Sequence, residues 1–251
     1  ISAGIISGGL IPFAIIAAAA ALGALAGNEL GKTVWDGWKK IGEEFDGWLN
    51  VNRDGKYHVY DPIVLDLDGD GIETVAGAQF KGSLFDHDND GIRTSTGWVK
   101  SDDGILVFDR NQDGIINNGS ELFGDNFTLK DGTLAKNGYA ALAEFDSNGD
   151  GKVDSNDIDF SKLQVWRDLN QDGISQKNEL FSLVDAGVKA LNLTYKDTNT
   201  SLTGGNILAQ TGTYEKEDGS IAQMGDVNFA FDSVYSEYIE KIELTDEQKQ
   251  A

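Results

Sequence analysis

The chain contains no cysteine and only two histidines, His58 and His87, among 251 residues. Disulfides, thiolate zinc sites and thiol catalysis are therefore excluded, as are imidazole-rich metal centres. Basic residues are scarce as well: 20 lysines and arginines face 42 acids, a formal net charge of −22. Nucleic-acid binders need a basic face to meet phosphates, so that partner class is excluded and cations are favoured. Catalytic-serine, phosphate-loop and dinucleotide fingerprints are also absent.

What is present begins with an apolar fraction of 40%, enough for one or two folded domains. Residues 1–31 form an apolar, Gly/Ala-rich segment predicted to be helical, with no charge before Glu29. Two readings stay open for it. About 20 apolar residues suffice to cross a bilayer, so it is long enough to contact or span a membrane. It equally suits a helical hairpin broken near Pro12 and buried in a larger protein. Residues 32–61 carry Val34, Trp38, Ile41, Phe45 and Trp48 at helical spacing, then a linker strand that ends at Asp61.

Residues 62–251 make the third unit, dominated between residues 66 and 179 by five acidic loops of one plan: DLDGDG, DHDNDG, DRNQDG, DSNGDG and DLNQDG. Each sets oxygen side chains at positions one, three and five and glycine at six. Alternating oxygens on a tightly wound loop converge on one point, which suits Ca²⁺ with its six to eight oxygen ligands, as in an EF-hand. The predicted ligands are Asp66, Asp68 and Asp70; Asp86, Asp88 and Asp90; Asp109, Asn111, Asp113, Asn117 and Glu121; Asp146, Asn148, Asp150, Asp154 and Asp157; and Asp168, Asn170, Asp172 and Glu179. At position seven of the last two loops, Lys152 and Ile174 are counted for their backbone carbonyls.

The loops differ in how they close. Glu179 stands at position twelve of its loop, and Glu121 falls one residue late in its own. The loops at Asp66 and Asp86 have Gly77 and Gly97 there and must borrow ligands, with Asp102 and Asp103 the nearest acids. The loops at Asp146 and Asp168 are expected to pair, the first entered by a helix over residues 139–145 and the second left by a helix in LFSLVDAGV. Residues 188–232 read as antiparallel β-structure with a hairpin turning at Asp218-Gly219, and residues 234–248 as a terminal helix. The expected fold class is α+β, with several Ca²⁺ ions as cofactors.

Just ahead of the first loop lies Asp61-Pro62. Proline makes this a tertiary amide, whose nitrogen leaves more readily once protonated. The Asp61 carboxylate can close on its own carbonyl carbon through a five-membered ring, and internal nucleophiles of this kind reach effective molarities of roughly 10⁵–10⁸ M. Expulsion of the Pro62 nitrogen would leave an anhydride for water or a lysine amine to open. A general acid must protonate the leaving nitrogen; Tyr60, His58 and a carboxylic acid raised in pKa by crowded neighbours are the alternatives. His87, between metal ligands, is expected to point outward.

The stretch YDPIVLDLDGDGIET, then LFDHDNDGIRTSTGWVKSDDGILVFDRNQDGIINNGSELFGD, AEFDSNGDGKVD and VWRDLNQDGISQKNEL, resembles the calcium-dependent self-processing module of FrpC-type RTX (repeats-in-toxin) proteins. The resemblance implies single-turnover, calcium-induced cleavage between Asp61 and Pro62, and linkage of the freed aspartyl end to a lysine of this or another protein. It also implies type I secretion from a Gram-negative bacterium, to the medium or the cell surface. The rival expectation is a non-catalytic calcium-binding module of a secreted protein.

Overall fold

The computed structural model describes residues 60–76 and 83–239. By internal contacts the chain divides into Ile1–His58 and Val59–Ala251. The predicted apolar segment and amphipathic helix of residues 1–59, with His58, lie outside the described residues. None of the described helices is long and apolar enough to cross a membrane.

The strand that follows Pro62, β1 (Ile63–Leu65), is apolar at every position and wholly buried. A run without alternation belongs between two packed faces, and β1 lies there. Ile63 and Leu65 enter one core with Leu106, Phe123, Tyr139 and Met224, while Val64 enters a second with Trp98, Ile105, Trp166 and Val227. The strands that complete its sheet are β6 (Gly104–Phe108), β7 (Lys152–Asp154), β8 (Leu163–Trp166), β9 (Leu180–Ser182), β10 (Val188–Ser201), β11 (Ile207–Lys216) and β12 (Ile221–Asn228). They form an eight-stranded sheet in the order β7-β10-β11-β12-β1-β6-β8-β9, antiparallel at every pairing. Two small sheets join β13 (Phe231–Tyr238), β4 (Ile92–Thr96) and β3 (Ser83–Phe85), and β2 (Thr74–Val75) with β5 (Trp98–Val99).

The expected α+β class with EF-hand helices is thus corrected: the fold is mostly β. The one α-helix among the described residues is α1 (Gly138–Ala143), capped by Asn137, whose side chain accepts from the Ala140 N–H at 2.8 Å. It enters the Asp146 loop as expected. The segment after Glu179 is instead strand β9, because the β8 edge offers Leu180, Phe181 and Ser182 partners at Trp166, Val165 and Gln164. The start of the predicted terminal helix is likewise strand β13, paired with β4; residues 240–248 lie outside the described residues. The β11–β12 hairpin turns at Asp218-Gly219 as read, with Gly219 at φ +83° and the Asp218 carboxylate accepting from the Ser220 N–H.

Candidate functional site

All five loops wind identically although strands rather than helices carry most of them. Positions four and six take left-handed φ in every loop: Gly69 and Gly71, Asn89 and Gly91, Gln112 and Gly114, Gly149 and Gly151, Gln171 and Gly173. Glycine recurs at six because a Cβ resists that conformation. In each loop the position-one aspartate accepts the position-six N–H, at 3.2 Å for Asp66, 3.1 Å for Asp86, 2.8 Å for Asp109, 3.0 Å for Asp146 and 2.8 Å for Asp168.

A closing acid then ties the start of the loop to its far side. Glu179 accepts from Leu169 and Gln176, Glu121 from Arg110 and Asn117, and Asp157 from Ser147 and Asp154. In each case the donors are the N–H groups at positions two and nine. The Asp66 loop, which has glycine at position twelve, receives a similar tie from outside: Asp103 accepts from Leu67, at position two, at 3.3 Å and from Glu73, at position eight, at 2.9 Å. Borrowing is therefore visible for this loop. Burial raises the Asp103 carboxyl to about 7, with Asp66 and Asp102 adding like charge.

Carboxylate oxygens of Asp66, Asp68 and Asp103 lie within 4.8 Å of one another, as do those of Asp86, Asp88 and Asp90, so each group could hold a metal ion. The Asp86 carboxyl, raised by burial to about 6, accepts from Asp90 and Gly91. Two buried acceptors, Oδ1 of Asp102 and Oδ1 of Asp109, have no hydrogen-bond partner among the described residues. An oxygen-rich donor set with orphaned buried acceptors fits a hard cation. Elsewhere amides sit on the carboxylates: Asn111 and Asn117 donate to Asp113, Asn148 to Asp150, and Asn170 to Asp172. Lys152 pairs its ammonium with Asp154 at 2.7 Å, and Ile174 donates its N–H to Asp172. Asp70, exposed, donates its N–H to Asp68.

The expected pairing of the Asp146 and Asp168 loops is replaced by another. Ile116 and Ser175 stand at position eight of the Asp109 and Asp168 loops; Ser175 Oγ accepts from the Ile116 N–H at 2.6 Å and donates to the Ile116 carbonyl at 3.4 Å. The Asp109 loop leads directly to the Asp-Pro bond. From its closing Glu121 the chain runs through Phe123, whose carbonyl accepts the Ile63 N–H at 2.9 Å, to Gly124 and Asp125.

Asp61 is 8% exposed, and its Oδ1 accepts the Asp125 N–H at 2.6 Å. A Cβ on Gly124 would stand 2.9 Å from both Oδ1 and the carbonyl oxygen of Asp61, so the glycine lets the clasp close over both groups. Burial holds the Asp61 carboxyl well above its ordinary pKa, and the charges of Asp226 and Asp125 add to this. Asp226 is 1% exposed and is itself raised by burial to about 7. The peptide bond to Pro62 is trans, and the Pro62 carbonyl accepts the Val227 N–H at 3.1 Å.

Contrary to expectation His87 points inward. It is 3% exposed, stacks on Tyr60 with ring centroids 4.4 Å apart, and lies 3.1 Å from Thr96 Oγ1 through Nε2. Burial lowers its pKa to about 3, so the ring is neutral at physiological pH. Sequence reasoning missed Gly124, Asp125 and Asp226. The available signal for Asp226 was an acid between the apolar neighbours Met224 and Val227 of β12.

A family model described as the SPM domain matches residues 63–230, which take in every loop and begin one residue beyond Pro62. The iron-regulated protein FrpA of Neisseria meningitidis serogroup C is 57% identical over 226 residues, which is 86% of this chain and 20% of that protein. The chain thus spans about a fifth of that relative's length. Both findings agree with the FrpC-type family to which the loops were likened, and the chain belongs to the SPM domain family.

Proposed function

We propose that the chain is a calcium-induced self-processing module that breaks its own Asp61-Pro62 bond in a single turnover. The observation that carries this reading is the clasp at Gly124 and Asp125, which closes over the nucleophile and the electrophile of one residue together. Such confinement turns an unreactive peptide into a near-attack arrangement. An Asp61 carboxylate oxygen bonds to the Asp61 carbonyl carbon, the carbon–nitrogen bond breaks, and the Pro62 nitrogen leaves with a proton. The cyclic anhydride is then opened by water to a free Asp61 C-terminus, or by a lysine amine of this or another protein to an isopeptide.

Asp66, Asp68 and Asp103 would hold one ion, and Asp86, Asp88 and Asp90 a second, with the Asp109, Asp146 and Asp168 loops as further sites. Bound calcium supplies the positive charge that lets these carboxylates converge. Extracellular modules bind calcium at roughly 10⁻⁴–10⁻³ M, which suits a domain that folds after secretion or at the surface of a Gram-negative cell. RTX-type export and the lysine acceptors belong to the same proposal.

The test is intact mass against time for the purified chain at neutral pH with millimolar calcium, magnesium or chelator. Calcium alone should yield two fragments meeting at Asp61 and Pro62, and Pro62→Ala should bind calcium yet stay whole. A wild-type chain that folds with calcium and remains intact would leave a non-catalytic calcium-binding module.

A further inference from the structure

We propose that Asp226 is the general acid of this site: its carboxyl holds the proton that the Pro62 nitrogen takes as it leaves. The assignment rests on the self-cleavage reading above and names the proton donor that reading requires.

Strand β12 sets Asp226 opposite Ile63 of β1. Side chains two apart on a strand share a face, so Asp61 and Asp226 are diagonal neighbours on one side of the sheet. The same strand pair fixes Pro62, because Val227 donates to its carbonyl. Asp226 is 1% exposed; its Oδ2 accepts the Gly138 N–H at 2.7 Å, and its Oδ1 is buried with no partner among the described residues. An anion in that place would leave a buried lone pair unsatisfied, whereas a protonated oxygen carries a hydrogen to give.

The titratable groups around it are all acids or phenols. Asp61 and Asp125 approach from the scissile segment and the clasp, Tyr139 comes from α1, and Tyr195 of β10 stacks on Tyr139 at 4.5 Å. Two buried carboxyls on one face of the sheet, each charge opposing the other's ionisation, leave the Asp61–Asp226 pair holding one proton near neutrality. With that proton on Asp226, Asp61 is the free carboxylate. As the Asp61 oxygen–carbon bond forms and the carbon–nitrogen bond breaks, the electron pair released onto Pro62 nitrogen takes the proton from Asp226, leaving Asp226 ionised. Asp125 meets the Asp61 carboxyl directly, through its N–H and by a side-chain hydrogen bond, but it is half-buried and its Oδ1 already accepts from Asn126 Nδ2 at 2.8 Å, so the Asp125→Asn arm below tests it as the rival donor.

The experiment compares cleavage rates of wild type, Asp226→Asn, Asp226→Glu and Asp125→Asn at saturating calcium from pH 5.5 to 8.5, by intact mass, with tryptophan fluorescence as the folding check. Asp226→Asn keeps the size of the side chain and an acceptor for Gly138. It should fold with calcium, cleave roughly 10²–10⁴-fold more slowly, and lose the fall in rate that wild type shows as pH rises past neutrality. Asp226→Glu should recover part of the rate and of that limb. The assignment is overturned if Asp226→Asn cleaves within threefold of wild type with the same pH profile, or if only Asp125→Asn loses the limb. Should Asp226→Asn fail to fold, the wild-type profile decides: a fall above neutrality supports the assignment, and a flat profile overturns it. A wild-type chain that stays whole overturns the self-cleavage reading as well, which separates the two failures.

Discussion

A Cβ at Gly124 would meet both the carboxylate and the carbonyl of Asp61, the groups proposed to react, and the φ of Gly124 lies outside the left-handed region, so alanine is acceptable to the backbone there. The obstruction is purely spatial: the new Cβ would meet the carbonyl oxygen and Oδ1 at 2.9 Å and the carbonyl carbon at 3.2 Å, distances that force Asp61 to turn or the clasp to lift. Misplacement of a reacting group by about 1 Å costs roughly 10²-fold in rate. Gly124→Ala should therefore bind calcium as wild type does but cleave about a hundredfold more slowly, which a paired calcium titration and mass time course would read. Unaltered cleavage would mean that the clasp does not orient Asp61. At this scale Asp61 was legible because an Asp-Pro pair is a local chemical fact. Asp125 was not, because its bond to Asp61 joins residues 64 apart in sequence. His87 was misplaced for a different reason. It stands two residues after buried Phe85, so the alternation of β3 carries into the loop and turns the imidazole inward.

The acidic loops themselves were legible as elements, since position-one aspartate and position-six glycine bond within six residues of chain. Their flanks were not. LFSLVDAGV has apolar residues at spacings that suit a helix or a strand, and the open edge of β8 decided for the strand. The partner of the Asp168 loop was hidden as well, because it depends on Ser175 reaching Ile116 across 59 residues. That contact yields a prediction for the pair. Ser175 and Ile116 are both buried, so Ser175→Ala leaves the Ile116 N–H without its acceptor, at a cost of about 1–3 kcal/mol. Because the bond joins two loops, the loss should appear as weaker coupling between them, roughly five- to hundredfold more calcium at half-saturation. Isothermal titration of an uncleavable Pro62→Ala background with and without Ser175→Ala would measure it. Identical isotherms would show that the loops fill independently.

For the whole molecule, the proposed calcium binding sets calcium and protons in competition for the same negative charge. The sequence announced the competition through a net charge of −22, but not which acids would be buried enough to keep a proton. The fold pushes Asp103 and Asp226 up to about 7 and Asp86 up to about 6, against an ordinary value of 3.8. Each raised carboxyl holds a proton in the folded state that the unfolded chain has already released. That contribution is complete below about pH 4 and is lost as the pH rises through about 6 to 7. The calcium-free protein should accordingly melt at lower temperature at pH 7.5 than at pH 5. Calcium reverses the dependence at its loops, since coordination needs the carboxylates ionised. Calcium at a hundred times the dissociation constant of a site would add about 2.7 kcal/mol of stability for that site. Scanning calorimetry of the Pro62→Ala chain should therefore show Tm falling with pH under chelator and rising, or at least holding level, in millimolar calcium. A chelated chain whose Tm climbs from pH 5 to 7.5 would refute the burial of these acids. The proton-stabilised fold and the calcium-stabilised fold would then differ in the charge at Asp103 and Asp86, whereas Asp226, outside the loops, titrates through about 7 whether or not calcium is bound.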